Sequence, residues 1–293
     1  MFVKYNQHIK TYGLFFFTLF LFFATIFIFY LNWENSHRNL TFAVLNVGQG
    51  EALFIESPTG TQILIDGGPP KKTLSHLARV MPIFDRTIDA VVITNPDADH
   101  IGGLIDILKV YKVGQIFEAG TYNDSKIYQD LKKEIKDKNI SNILAKKEMR
   151  LYLGGGAFID ILFPDRDVSQ WTTNDGSVVA KLSYGNTRVM LTGDATKETE
   201  KIILQSYPQS FLESDILKIG HHGSQTSTSY DFMKAVSPQY ALISNGKNNK
   251  YGHPHKNTLD TILNFNSQIF RTDLEGTIIM KSNGIKETFS FIK

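Results

Sequence analysis

The chain has 293 residues, room for one large domain or two small ones, with the hydrophobic and charged fractions (42% and 20%) of an ordinary globular protein. It contains no cysteine, which excludes a disulfide framework without opposing an extracytoplasmic location. The net charge is +2, and setting aside Lys4 and Lys10 brings the 31 basic residues to 29, equal to the 29 acidic ones, so bulk charge gives no case for a nucleic-acid partner.

The first predicted element is apolar. Residues 14–31 read LFFFTLFLFFATIFIFYL, without a charge or the polar stripe of a core helix. A transmembrane anchor is expected over residues 11–33, with Tyr30 and Trp33 at its aqueous edge. Residues 32–35, NWEN, give no small-residue cleavage pattern, so the anchor is expected to stay uncleaved. Lys4 and Lys10 precede the span, whereas Glu34 and Arg38 nearly cancel after it. The positive-inside rule then puts residues 1–10 in the cytoplasm and the rest outside, a single-pass membrane protein. Residues 34–39 read as a linker and 40–293 as one domain.

Within that domain, strand-like runs cover 41–47, 52–56 and 62–65, separated by glycine turns. A helix is expected over 73–80, a strand over 90–93, a helix over 104–110, a strand over 116–118 and a charged helix over 126–138. The alternation then repeats. Strands are predicted at 158–163, 178–183 and 188–191, and a helix at 197–205. Beyond them come a strand at 216–219, a helix at 229–236, a strand at 240–243 and a helix at 257–263. Two tail strands, 276–280 and 288–292, close the pattern. Two such blocks imply two packed sheets with helices on their outer faces. Residues 132–150 carry seven basic groups against three acidic ones, which reads first as a solvated helix face.

Five of the eight histidines fall beside glycines or carboxylates at strand ends. The motifs are Asp66 in LIDGG, Asn95, Asp97, Asp99 and His100 in TNPDADHIGG, Asp194 in LTGDA, His221 and His222 in GHHGS, and His253 and His255 in YGHPH. Alone, an Asp beside a glycine is a turn residue. Together, carboxylates and imidazoles recurring where glycine lets backbones approach point to a metal site assembled from loops. Such a site activates water and stabilises charge on a phosphoryl or carbonyl oxygen.

The segments LNVGQGEALFIESPTGTQILIDGG, TNPDADHIGGL, NDGSVVAKLSYGNTRVMLTGD, LKIGHHGSQTSTS and ISNGKNNKYGHPH resemble, in order and spacing, the motifs of the metallo-β-lactamase fold. They are most similar to the hydrolase domain of the ComEC DNA-uptake family. The resemblance runs from about Asn39 to Lys293 and implies an α/β, four-layer αββα sandwich after the transmembrane helix. It places Asn95, Asp97, Asp99 and His100 on the superfamily's His-x-His-x-Asp-His ligand signature, Asp194 on the carboxylate bridging two metals, and one of His221 and His222 on the last ligand. It makes Asp66 the residue that orients the ligand loop. In the loop where the superfamily has a further histidine, Asp175 or Asn174 is expected to substitute for it, and Ser224, beside the ligand histidine, to cap local structure or hydrogen-bond a phosphate. His253 or His255 is expected to act on the leaving group or to complete a ligand set, and Asp99 to position or deprotonate the attacking water.

Asn95 departs from the pattern, since the ComEC-like version keeps histidine there. Oxygen-rich ligation favours Mn²⁺ and imidazole-rich ligation favours Zn²⁺. One or two divalent ions, Mn²⁺ or Zn²⁺, are expected, the one nearest Asn95 held loosely. The function implied is a membrane-anchored metal-dependent phosphodiesterase acting on DNA or on cell-wall phosphodiesters; no protein partner is deducible. Asn95 keeps a second reading open, a non-catalytic binder of a phosphate-rich polymer or a membrane partner. A carbonyl hydrolase ranks third, because fold alone does not settle function.

Overall fold

The computed structural model describes the backbone of residues 2–36 and 38–293, and side chains at 12–29 and 38–293. The chain divides into two compact units, residues 1–38 and 39–293. The first unit is a helix, α1 (Phe2–Ser36), which continues into the segment expected as linker. Its stretch Tyr12–Phe29 has a mean hydropathy of 2.3 over 18 residues and none of it is buried. At 1.5 Å per residue this window is about 27 Å long, near the thickness of a bilayer's hydrocarbon core. The side chains of Lys4, Lys10, Tyr30, Trp33 and Glu34 lie outside the described residues.

The second unit opens with the antiparallel strands β1 (Leu40–Val44), β2 (Leu53–Glu56) and β3 (Gln62–Ile65). Helix α2 (Thr73–Val80) then crosses to β4 (Thr87–Ile93), parallel to β3. The short α3 (Ala98–Ile101) and α4 (Leu104–Val110) lead to β5 (Lys112–Glu118), and α5 (Lys126–Asp137) leads to β6 (Ser141–Leu144). β4 ends in four consecutive buried residues, as a central parallel strand covered on both faces must.

The second sheet begins with β7 (Arg150–Gly154), β8 (Ala157–Phe163), β9 (Val179–Tyr184) and β10 (Thr187–Leu191), all antiparallel. After α6 (Lys197–Ser206) and α7 (Gln209–Leu212) come β11 (Ile216–Lys218), α8 (Tyr230–Val236) and β12 (Tyr240–Ile243). The chain closes with α9 (Lys256–Asn264), β13 (Gln268–Arg271), α10 (Thr272–Glu275), β14 (Thr277–Ser282) and β15 (Glu287–Ile292). The last two strands return to the first sheet, giving the orders β15-β14-β1-β2-β3-β4-β5-β6 and β13-β12-β11-β10-β9-β8-β7.

Three apolar layers hold this together. One core lies between the sheets, built from Phe42, Ile55, Ile65, Ile159, Leu182 and their neighbours. A second lies under α2, α4 and α5, and a third under α6, α8 and α9. The fold is therefore the four-layer α/β sandwich expected. β3, β4 and β5 are parallel in one sheet, and β10, β11 and β12 in the other. The loops leaving the C-terminal ends of β3 and β4 carry Asp66 and residues 94–100, and those leaving β10 and β11 carry Asp194 and His221–His222.

Candidate metal centre

Asp66 follows β3 with φ 57° and is wholly buried. Its Oδ1 accepts the Thr94 N–H at 2.8 Å, and its Oδ2 accepts the Thr94 hydroxyl and faces His100 Nδ1 at 2.7 Å. This fixes the His100 ring with Nε2 pointing inward, 3.1 Å from Asp194 Oδ2 but without hydrogen-bond geometry. A carboxylate on the far nitrogen of a ligating imidazole sets its tautomer and raises its basicity.

His221 and His222 both occupy the left-handed region, at φ 48° and 55°, so consecutive rings project to different sides. His222 is buried, and its Nδ1 donates to the Ser244 carbonyl at 3.0 Å. Its Nε2 lies 3.3 Å from Asp99 Oδ2 and 3.7 Å from Asp194 Oδ2. His221 is partly exposed, with Nε2 at 3.7 Å from Asp194 Oδ2 and Nδ1 at 3.1 Å from the Thr226 hydroxyl. The geometry gives His222 the anchored, inward-facing ring.

Ligand atoms of Asp99, His100 and His222 lie within 4.8 Å of one another, and so do those of Glu51, Asp194 and His222. His100 Nε2, His222 Nε2, Asp194 Oδ1 and Glu51 Oε1 are buried and make no hydrogen bond. Buried polar atoms are rarely left so, and unpaired atoms on residues whose ligand atoms cluster within 4.8 Å fit a cation.

Electrostatics agree. Burial alone would raise the Asp194 carboxyl, but His100 and His222 outweigh it and hold it far below the ordinary range. Burial alone would lower His100, but Asp194 and Asp66 hold it well above its ordinary value. Burial pushes Asp66 up against the opposing pull of His100. Burial likewise opposes the lowering of Asp99 by His222.

The remaining sequence candidates take other places. Asn95 is buried, but its Oδ1 accepts the Asp97 N–H at 3.0 Å and its amide donates to Ser177 Oγ at 3.4 Å. Asp97 accepts Asn123 Nδ2 and Thr173 Oγ1, both at 2.9 Å. Both expected ligands are thus committed to loop hydrogen bonds, and Asp97 stands outside the two groups of clustered ligand atoms. Asp175 accepts the Thr172 and Thr196 hydroxyls, and Ser224 bonds Thr226 at 2.9 Å, so both brace loops. His253 lies over the His222 ring with centroids 6.5 Å apart, and Gln49 Nε2 reaches its Nδ1 at 3.4 Å. His255 precedes α9, where its Nδ1 accepts the Gln225 N–H at 3.1 Å.

Glu51 and Lys218 were not singled out from sequence. They form a buried ion pair across 167 positions of sequence, and only the glycine-rich GQGE loop before β2 hints at it.

Residues 45–247, more than half of the chain, match the Metallo-beta-lactamase superfamily. "ComE operon protein 3" of Bacillus subtilis (strain 168) is 29% identical over 274 residues, 84% of this chain and 34% of that protein. "Competence protein ComA" of Neisseria gonorrhoeae is 28% identical over 236 residues, 80% of this chain and 31% of that protein. The chain thus spans about a third of the length of these curated relatives. Igni18, a metallo hydrolase from the archaeon Ignicoccus hospitalis, shares the fold with a TM-score of 0.54 at 16% identity, covering 86% of this chain and 100% of that one. Its two-sheet sandwich, its inward-facing carboxylates and imidazoles and this match agree that the chain belongs to the metallo-beta-lactamase superfamily, a family of generally metal-dependent hydrolases.

Proposed function

We propose that this chain is a membrane-anchored, extracytoplasmic, metal-dependent phosphodiesterase whose substrate is a DNA strand. The observation that carries the metal-dependent part is the pair of buried, unpaired imidazole nitrogens His100 Nε2 and His222 Nε2, 3.1 and 3.7 Å from Asp194 Oδ2. Asp99, His100, Asp194 and His222 would hold one ion firmly, Mn²⁺ or Zn²⁺. With Asn95 and Asp97 committed to loop bonds, the side of the centre near Asn95 holds no second ion of comparable affinity.

The bound ion supplies Lewis-acid charge at a phosphoryl oxygen. The chain's own residues do the rest. Asp99, at 36% side-chain exposure the carboxylate of the cluster most open to solvent, is placed to take a proton from the attacking water. His253 is held down at about 4 by burial and by the neighbouring imidazoles of His221, His222 and His255. It is neutral at neutral pH, so it acts on the leaving oxygen through a hydrogen bond, with no proton to give. His255, its Nδ1 spent on Gln225, can offer only Nε2.

The likeness to competence proteins favours DNA over a wall polymer. An open cavity of about 610 Å³ at the same end of the sandwich is lined by Lys146 and Lys147 together with Asp167 and the Arg166–Asp165 ion pair, a balance that gives a polyanion only a small net positive charge to meet. None of its lining residues belongs to the metal cluster. The anchoring rests on the uncharged Tyr12–Phe29 span, and the orientation on Lys4 and Lys10 before it.

Full-length protein in lipid nanodiscs, supplied with Mn²⁺ or Zn²⁺, should hydrolyse single-stranded DNA or bis-p-nitrophenyl phosphate. Asp99→Ala and Asp194→Asn should each lose at least about 10³-fold. The binder reading, favoured by Asn95, requires DNA binding with no metal-dependent turnover in any of them.

A further inference from the structure

Glu51 carries more than an ion pair requires. Its side chain is fully buried, and its Oε2 meets the Lys218 ammonium, which also donates to the Ile219 carbonyl at 3.0 Å. Its Oε1 has no partner. A purely structural buried ion pair would satisfy both oxygens, because an unpaired buried carboxylate oxygen is costly. Here one oxygen is held by the ammonium, and the carboxylate lies with Asp194 and His222, ligand atoms within 4.8 Å of one another.

The backbone fixes that placement twice. The Glu51 N–H donates to the Asp99 carbonyl at 3.0 Å, and the Gly50 carbonyl accepts Ser244 Oγ at 2.8 Å, where the Ser244 carbonyl itself holds His222. Gly50 has φ 145°, and a Cβ there would stand 2.4 Å from the Asp99 carbonyl oxygen. Only glycine permits the loop to come this close. The GQGE loop is thus built onto the two elements that present Asp99 and His222.

Charge points the same way. Glu51, Asp66, Asp99 and Asp194 bring four carboxylates to this region, and Lys218 is the ammonium in contact with them. Carboxylates gathered this closely, with Glu51, Asp66 and Asp194 buried, suit a cation held among them.

We propose that Glu51 is a metal ligand, joining Asp194 and His222 through Oε1, and that Lys218 is a positioning residue that holds Oε2 and turns Oε1 to the ion. The inference rests on the metal-centre reading above. It adds a carboxylate from the β1–β2 loop to a centre in which Asn95 and Asp97 are committed to loop hydrogen bonds.

The test is metal binding, measured by isothermal titration with Mn²⁺ and with Zn²⁺ and by metal analysis after gel filtration. It uses the full chain in nanodiscs as wild type, Glu51→Gln, Glu51→Gln with Lys218→Met, and Asp194→Asn. The double variant keeps the fold testable, because replacing both members of a buried pair is far milder than removing one. Its thermal unfolding in chelator should match wild type. Both Glu51 variants should bind at least about 10–100-fold more weakly than wild type. Wild-type affinity in the folded double variant, with binding abolished in Asp194→Asn, overturns the Glu51 assignment and leaves the centre standing. Binding unchanged in Asp194→Asn as well overturns both.

Discussion

At the scale of single residues, the candidate centre favours a proton on His100. His100 sits between Asp66 and Asp194, which outweigh its burial and hold it well above its ordinary value. A histidine with a raised folded pKa contributes stability that is complete below the unfolded value of about 6.5 and is lost as pH rises through the folded one. In chelator, the melting temperature should therefore fall as pH rises through that raised value, and Asp194→Asn should flatten the fall. Because an ion must displace this proton, metal binding should release protons and tighten with pH. Titrations in buffers of different ionisation enthalpy read that release directly; a buffer-independent heat would contradict it.

Asn95, the residue that departs from the family pattern, holds Asp97 through its side-chain oxygen. Asn95→Ala should cost about 1–3 kcal/mol in urea unfolding, the penalty of a buried amide left unpaired, with metal stoichiometry unchanged. His253 gives a kinetic counterpart. His253→Asn should lower kcat about 10²-fold while leaving the shape of the pH–rate profile intact. Loss of the basic limb would instead make His253 a proton donor.

At the scale of elements, the loops of the second sheet that carry the candidate ligands are tied to one another. His221 N–H donates to the Gly193 carbonyl at 3.1 Å, Lys197 N–H to Thr226 at 3.0 Å, and Ser227 Oγ to Ala195 at 2.7 Å. Glu200 of α6, buried and pushed up by that burial, accepts the N–H groups of Thr228 and Ser229 just before α8. Glu200→Ala strands the buried Thr228 amide and the half-buried Ser229 amide, so it should cost about 1–3 kcal/mol in urea unfolding. It should also weaken metal binding, although Glu200 touches no ligand. Much of this scaffold was legible in the sequence. The strands Gln62–Ile65 and Tyr240–Ile243 and the helix Thr73–Val80 fall on their predicted bounds, because apolar runs between glycines and amphipathic periods are local signals. The strands β6, β7 and β13 did not stand out. They lie at or near sheet edges, are largely exposed, and so carry polar residues where a central strand carries apolar ones. The site divides in the same way. Asp66, Asp99, His100, Asp194 and His222 sit in compact glycine-flanked motifs, whereas Glu51 and Lys218 are ordinary charges until the fold brings them together across the two sheets.

At the scale of the molecule, the direction of the strands separates two ends of the sandwich. The centre lies at the C-terminal ends of β3, β4, β10 and β11, whereas the chain enters the domain at Leu40, the opposite end of β1. Thr87 opens β4 at that same end, so the preceding turn, with Ile83 76% and Phe84 96% exposed, belongs to it. So does the β14–β15 hairpin, because Ser282 pairs with Leu40, and its Ile285 is 77% exposed. Single exposed apolar residues are common. Two such tips at the end where the chain enters the domain have the chemistry to rest in a lipid headgroup layer. Lipid contact at this end of the domain would leave the candidate centre, at the other end, open to a polymer arriving from solution. The absence of native cysteine makes this measurable. Phe84→Cys, Ile285→Cys and, beside His253, Tyr251→Cys would each carry an environment-sensitive fluorophore in the full chain reconstituted in anionic vesicles. Headgroup-level quenchers should quench the labels at 84 and 285 and leave 251 bright, while flotation with the vesicles reports insertion of the anchor separately. Flotation with 251 quenched and 84 bright would reverse the orientation and turn the metal centre toward the membrane surface.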